Sequence, residues 1–236
     1  MGSVKDDRGY NQGFKPGKTL TIRTQRRCAW MIQQMDSSNQ KDILEIGCGT
    51  GELSSILAEK TNHHVLGTDL CAPFINQAGL NYKRPNLQFQ VLDFHNPQRL
   101  GEKKFDYIVG NGILHHLYTN LDNSLKALSN LLKDDGKLLF IEPNIYNPYC
   151  FIIFGTTPFF RKMANLEPDE MAFSGKYITR LLKKQNYSEI SVEYRDFLLP
   201  NTPTFLVNPT IAIGSVLEKI PIIKYLSQSI FISAKK

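Results

Sequence analysis

The residues best suited by type and spacing to do chemistry lie first in one short run, Ile43-Leu-Glu-Ile-Gly-Cys-Gly-Thr-Gly-Glu-Leu-Ser54. An apolar stretch leads into Gly47, Gly49 and Gly51 and then into a helical pattern with Leu53, Ile56 and Leu57 on one face. Glycine turns tightly and lets the backbone approach a ligand with no Cβ in the way. The spacing is GxGxG, one residue short of the GxGxxG that cradles a dinucleotide pyrophosphate. Glu45 stands two positions before the first glycine. Asp69 closes the next apolar run, where a carboxylate can accept both hydroxyls of a ribose. Asp93 closes the third, in Val91-Leu-Asp-Phe94. Its carboxylate can accept an adenine amino hydrogen while Phe94 covers the ring. Taken singly, each acid reads equally well as the cap of a turn or helix. All three features in register are hard to obtain by chance.

A second set follows the fourth apolar run. His115 and His116 open a helical pattern there. Histidine titrates near neutrality and suits a general base, although either ring can instead pack or cap at such a junction. Adjacent helical residues are about 100° apart, so one histidine at most is expected to face a cleft. Glu142 and Asn144, ending the fifth run, are alternatives on the same rim.

These residues need elements to hold them. Residues 1–17 are polar and read as an irregular arm. A helix is expected at 18–36, with Leu20, Thr24, Cys28, Met31 and Met35 as its apolar stripe and Arg23, Arg26 and Arg27 off it. Strand-length runs stand at 42–46, 64–68, 87–92, 105–110 and 137–142. Between the last two, 114–132 reads as one helix with a leucine face, an Asp122–Lys126 pair on the other side and Gly136 as the breaker. Strands alternating with helices predict a mostly parallel sheet covered on both sides. Residues 143–172 break the rhythm with prolines among aromatics. A helix at 174–185 and a strand at 188–194 resume it. A second apolar insertion fills 199–227, and 229–234 alternates as a last, antiparallel strand. The expected division is an arm and lid helix over 1–40, and one domain over 41–236 whose two insertions form a substrate cap.

Residues 42–142 resemble the core of the class I S-adenosylmethionine-dependent methyltransferases. The resemblance rests on Glu45-Ile-Gly-Cys-Gly-Thr-Gly51, on Asp69, on Asp93-Phe94, on Phe105-Asp-Tyr-Ile-Val-Gly-Asn-Gly-Ile-Leu-His-His-Leu117 and on Leu132-Lys-Asp-Asp-Gly-Lys-Leu-Leu-Phe-Ile-Glu142. It implies a Rossmann-like, seven-stranded sheet with S-adenosylmethionine as donor and S-adenosylhomocysteine as product. By position, Gly47, Gly49 and Gly51 would lie against the methionine part of the donor. Asp69 would hold the ribose, and Asp93 and Phe94 the adenine. Gly110 and Asn111 would sit beside the sulfonium, with Tyr10 as a lid. Glu45, Cys48 and Leu70 complete the expected cofactor-binding set. Roughly the first 40 and last 90 residues fall outside the resemblance, so it does not cover the acceptor side.

Methyl transfer from a sulfonium is an in-line displacement with a good leaving group, so alignment and exclusion of water matter most. A base is needed only where the nucleophile must lose a proton, and His115 is the candidate. The Asn-Pro-Pro-Tyr run of amino-methylating enzymes is missing: Gly110-Asn-Gly-Ile113 stands in its place. Asp134 and Asp135 sit in a turn away from the ligand end, so no metal is expected. Cys28, Cys48, Cys71 and Cys150 form no CxxC pair, which suits a reducing compartment. The N-terminus carries no apolar signal segment.

The formal charge of +6 lies in the flanks. Residues 1–40 carry 7 Lys/Arg against 3 Asp/Glu, residues 145–236 carry 11 against 7, and the middle carries 10 against 12. The expected acceptor is a small molecule with an apolar part, lipid-like or polyketide-like, methylated on oxygen or carbon. The apolar insertions and basic flanks leave open a cytoplasmic protein that rests on a membrane surface, or a homodimer. Nucleic acid fits poorly, for want of a binding module and of strong charge. The competing readings are a non-catalytic donor-binding scaffold and an enzyme acting on RNA or protein.

Overall fold

The computed structural model describes residues 17–236 except 156, 165 and 168. Tyr10 lies outside the described residues. In chain order the elements are α1 (Lys18–Gln33), β1 (Asp42–Ile46), α2 (Glu52–Lys60), β2 (His64–Asp69), α3 (Ala72–Asn81), β3 (Leu87–Val91), β4 (Phe105–Asn111), α4 (Leu121–Leu131), β5 (Leu132–Pro143), α5 (Pro148–Gly155), α6 (Pro158–Met163), α7 (Gly175–Lys184), β6 (Ser188–Arg195), α8 (Thr204–Leu217) and β7 (Ser229–Lys235).

The strands form one seven-stranded sheet in the order β3-β2-β1-β4-β5-β7-β6. The five strands from β3 to β5 run parallel, and β7 lies antiparallel to both β5 and β6. This is the Rossmann-like arrangement expected from the alternating pattern. Side chains on a strand alternate between faces, and each face builds its own core. Leu44, Ile46, Ile108, Leu138, Phe140, Ile230 and Ile232 meet α4 and α7 on one side. Ile43, Val109, Leu139, Ile141 and Phe231 meet Cys28 and Met31 of α1 and Leu53 and Leu57 of α2 on the other. The strand order reverses between β1 and β4. At such a point the crossovers leave in opposite directions and a crevice opens at the carboxyl ends of the strands.

Three local expectations are corrected. The single helix at 114–132 is a tight 3-10 turn, Leu114–Asn120, followed by α4. Gly136 does not end the helix. The reversal is made at Asp135, with φ of 66°, and Gly136 lies inside β5, where a Cβ would stand 2.9 Å from the Lys133 carbonyl oxygen. Asp122 bonds to Lys184 and Gln185 at the end of α7, so it ties two helices together instead of forming the expected intrahelical pair. The first insertion folds into α5 and α6. The second contains α8, which carries no charged residue and exposes Phe205 (79%) and Ile213 (60%). No described helix is long and apolar enough to cross a membrane.

One charged side chain is buried within β1. Glu45 is 2% exposed and accepts a hydrogen bond from the Ser54 hydroxyl. Burial pushes its carboxyl up to about 7, against the downward pull of Ser54. An unfolded glutamate titrates near about 4.3. The folded state therefore holds the proton longer, and the stability this gives is present at low pH and lost as pH rises from there through about 7. Across that range the wild-type chain is expected to lose about 2–3 kcal/mol relative to Glu45→Gln, measured by urea unfolding at a series of pH values. Parallel curves for the two proteins would refute this.

Candidate active site

The loop after β1 depends on glycine at two points. Gly51 takes φ of +85°, and a Cβ there would stand 2.6 Å from the Phe89 ring and 2.9 Å from Ala78. Gly47 takes φ of +65°, with Ile113 pressed against the space a side chain would need. The loop is tied to its neighbour strand from both sides. The Cys48 N–H donates to the Thr68 carbonyl at 2.9 Å, and the Gly49 N–H donates to Asp69 Oδ2 at 2.9 Å. Asp69 Oδ1 accepts from the Cys71 N–H at 2.8 Å. One carboxylate thus joins the glycine loop to the turn after β2, and it remains only partly buried.

The other cofactor candidates divide by position. Leu70 is exposed beside Asp69. Asp93 is exposed beyond β3, caps the His95 N–H at 2.9 Å, and is followed by Phe94, whose ring packs on that of His95. Gly110 leaves no room for a Cβ between Phe140 and Ile113. Cys48 is buried, and burial pushes its thiol well up. Glu45 turns beneath α2 toward Ser54.

Beyond β4 the chain turns over Glu142. Its carboxylate is almost wholly out of water and accepts the backbone N–H groups of Ile113, Leu114 and His115. It also lies 2.9 Å from His115 Nδ1. An acceptor at Nδ1 places the hydrogen there and leaves the lone pair on Nε2. His116 makes a second pair, 2.8 Å from Glu170 of the first insertion. Burial pushes His116 down, but Glu170, with Glu142 and Glu167, pulls it up by more in sum, and His116 holds Glu170 below the usual carboxylate range against the upward push of burial. The two rings stack at 4.2 Å, so they do not diverge as a regular helix would have them. His115, His116 and Glu170 bring ligand-type atoms within 4.8 Å of one another.

Next to this turn the structure buries two residues that the sequence pattern leaves outside the apolar stripe of α1. Arg27 donates to Asn111 Oδ1 at 2.7 Å, Gln228 Oε1 at 3.0 Å and Ser229 Oγ at 2.8 Å, and reaches Asp196 at 3.4 Å. Arg23 donates to Gln228 Oε1 at 2.7 Å. The signal available beforehand was their i, i+4 spacing beside Thr24 and Cys28. Asn144, a rim candidate, is fully buried. Its side-chain amide donates to the carbonyls of Tyr225 and Ser227, both at 2.8 Å. Asn147 does the same for Leu226 at 2.7 Å, and its Oδ1 caps the start of α5. A surface cavity of about 920 Å³ lies between α3 and β3 around Leu80 and Tyr82, bordered by Phe89, whose ring lies against Gly51.

Comparison with known proteins agrees with this geometry. Residues 44–138 match the sequence model of the family described as Methyltransferase domain. The chain is similar to probable polyketide synthase 32 of Dictyostelium discoideum, 27% identical over 183 residues, which is 66% of this chain and 6% of that protein. It is also similar to the malonyl-[acyl-carrier protein] O-methyltransferase of Acetivibrio thermocellus, 28% identical over 107 residues, 45% of this chain and 37% of that one. The chain therefore spans only a small part of the synthase and well under half of the second relative. Among solved structures, the CurJ carbon methyltransferase superposes with a TM-score of 0.62 at 20% identity, over 94% of this chain and 56% of that one. The match to the methyltransferase-domain model over residues 44–138 and the fold shared with solved methyltransferases are consistent with the class I S-adenosylmethionine-dependent family.

Proposed function

We propose that the chain transfers the methyl group of S-adenosylmethionine to a small, partly apolar acceptor, on carbon or oxygen. One observation carries the reading: the glycine loop pinned by Asp69 and the His115–Glu142 pair end neighbouring parts of the same sheet edge. The glycine loop fits the amino-acid half of the donor, because the space above Gly49 is open while Gly47 and Gly51 hold the left-handed turns that shape it. Asp69 takes the ribose and Asp93 with Phe94 the adenine; Gly110 and Asn111 flank the sulfonium. When bound, the donor supplies an electrophilic methyl carbon. His115 Nε2 takes the proton that an acidic C–H or O–H must lose, and Glu142 steadies the imidazolium that results. A donor-only scaffold would have no use for a histidine held in one tautomer by a buried carboxylate.

The insertions support an apolar acceptor. Phe154 of α5 packs edge-on against His115 at 5.7 Å, which brings the first insertion over the base. The exposed apolar faces of α6 and α8 support contact with a lipid surface or a second subunit, and polyketide synthases among the relatives favour an acyl-type acceptor.

Calorimetric titration with S-adenosylhomocysteine is expected to show binding. Asp69→Ala should weaken it roughly 10- to 100-fold, since a charge-assisted bond to the loop is lost as well as the ribose contact. His115→Gln should lower turnover by about 10²–10⁴ while donor affinity stays within about twofold. A cell extract incubated with methyl-labelled donor should carry label in the organic phase. Label confined to RNA or protein would reassign the acceptor, and no transfer at all would favour the scaffold.

A further inference from the structure

Arg23 and Arg27 stand one turn apart on α1, and their side chains are 4% and 11% exposed. Between them, the described residues offer one carboxylate within ion-pair distance, Asp196. Arg27 spends its terminal nitrogens on Asn111, Gln228, Ser229 and that aspartate. Arg23 is poorly served. Among the described residues its one hydrogen bond goes to a neutral amide, and its Nε lies 3.8 Å from Asp196, beyond bonding reach. The Nε atoms of both arginines have no hydrogen-bond partner among the described residues. The next carboxylate, Glu218, accepts from the Asp196 N–H and faces Arg195.

Charges taken out of water are normally matched. Among the described residues, two guanidiniums against one carboxylate leave one positive charge unmatched. Burial, with Arg27 alongside, pushes Arg23 down to about 9, and Asp196 does not restore it. The surplus lies beside the end of β4, next to the turn that carries His115. Arg27 holds Asn111 at the end of β4, Asn111 pairs in register with Ile141, and the following residue, Glu142, fixes His115. Tyr149 and Cys150 of α5 lie close enough to Arg23 to affect its charge. Neither arginine bonds to the glycine loop or to Asp69.

We propose that Arg23 and Arg27 form a binding site for a carboxylate of the acceptor, which anchors an organic acid so that its reacting atom reaches His115. This rests on the methyl-transfer reading above. A single negative charge balances the surplus, whereas a doubly charged phosphate would overshoot it. Guanidinium forks also match the planar geometry of a carboxylate.

The test uses the full chain saturated with S-adenosylhomocysteine. Acetate, hexanoate and decanoate are titrated against alcohols of the same chain lengths, and binding is followed by calorimetry and thermal shift. At least one acid is expected to bind tenfold or more tighter than its alcohol. Arg23→Gln should erase that difference while donor affinity stays within twofold, and Arg23→Lys should keep part of it. Acids and alcohols binding alike to the wild-type protein would overturn the proposal without any variant. A tenfold loss of S-adenosylhomocysteine affinity in a folded Arg23→Gln protein would also overturn it, by assigning the pair to the donor's own carboxylate. Failure of the wild-type chain to bind S-adenosylhomocysteine is a separate result, and it would count against the methyl-transfer reading itself.

Discussion

A carboxylate buried at the end of a central strand must be satisfied, and the way Glu142 is satisfied organises the site. Four donors converge on it: three successive backbone N–H groups and one imidazole nitrogen. The three N–H groups are those that a helix start leaves without partners. Glu142 thereby fixes where the chain turns after β4, and the turn fixes where His115 stands. The same turn presses Ile113 against Gly47 and Gly110, so the glycine loop is shaped from the side of the turn that carries His115. An apolar residue at 142 would leave those donors buried and unmatched, at a cost of about 1–3 kcal/mol each.

The N-terminal helix joins the two halves of the site. α1 is a core element on one face, where Cys28 and Met31 are fully buried against the sheet. On its neighbouring face the arginines reach the ends of β4 and β7. Hydrophobic contact sets the height of the helix over the sheet, and the directional bonds of Arg27 set its rotation. A helix held by apolar contact alone could turn about its axis at little cost, because burial has no preferred direction.

Much of this was legible in the sequence. The apolar runs at 42–46, 64–68 and 105–110 are strands with nearly those bounds, because side-chain alternation and short length determine a buried strand locally. The antiparallel tail followed from the same rhythm and the seven-stranded sheet from the family resemblance, while the order of the strands came only with the structure. The site was legible only where a special backbone was needed, as in the glycine loop, or where an acid closes a strand. The roles of Arg23, Arg27, Glu170 and Gln228 were not. Their partners in these contacts lie between 54 and 205 residues away in the chain, and no local pattern encodes which distant amide or carboxylate will arrive. The break at Asn120 was missed for another reason. Six leucines at helical spacing read as one helix, while the geometry around Glu142 demands a tighter first turn.

The first insertion is fastened to the approach to β7 in a way that has its own consequence. The side-chain amides of Asn144 and Asn147 bond to the main-chain carbonyls of residues 225, 226 and 227. A carbonyl oxygen is the same whichever residue bears it. The fastening therefore reads the path of that segment and not its side chains. Substitutions at 225 and 226, both exposed, can change the outer surface of the cap without loosening its hinge to the sheet. A segment held in this way can vary its outward side chains by small steps while its course over the sheet stays fixed.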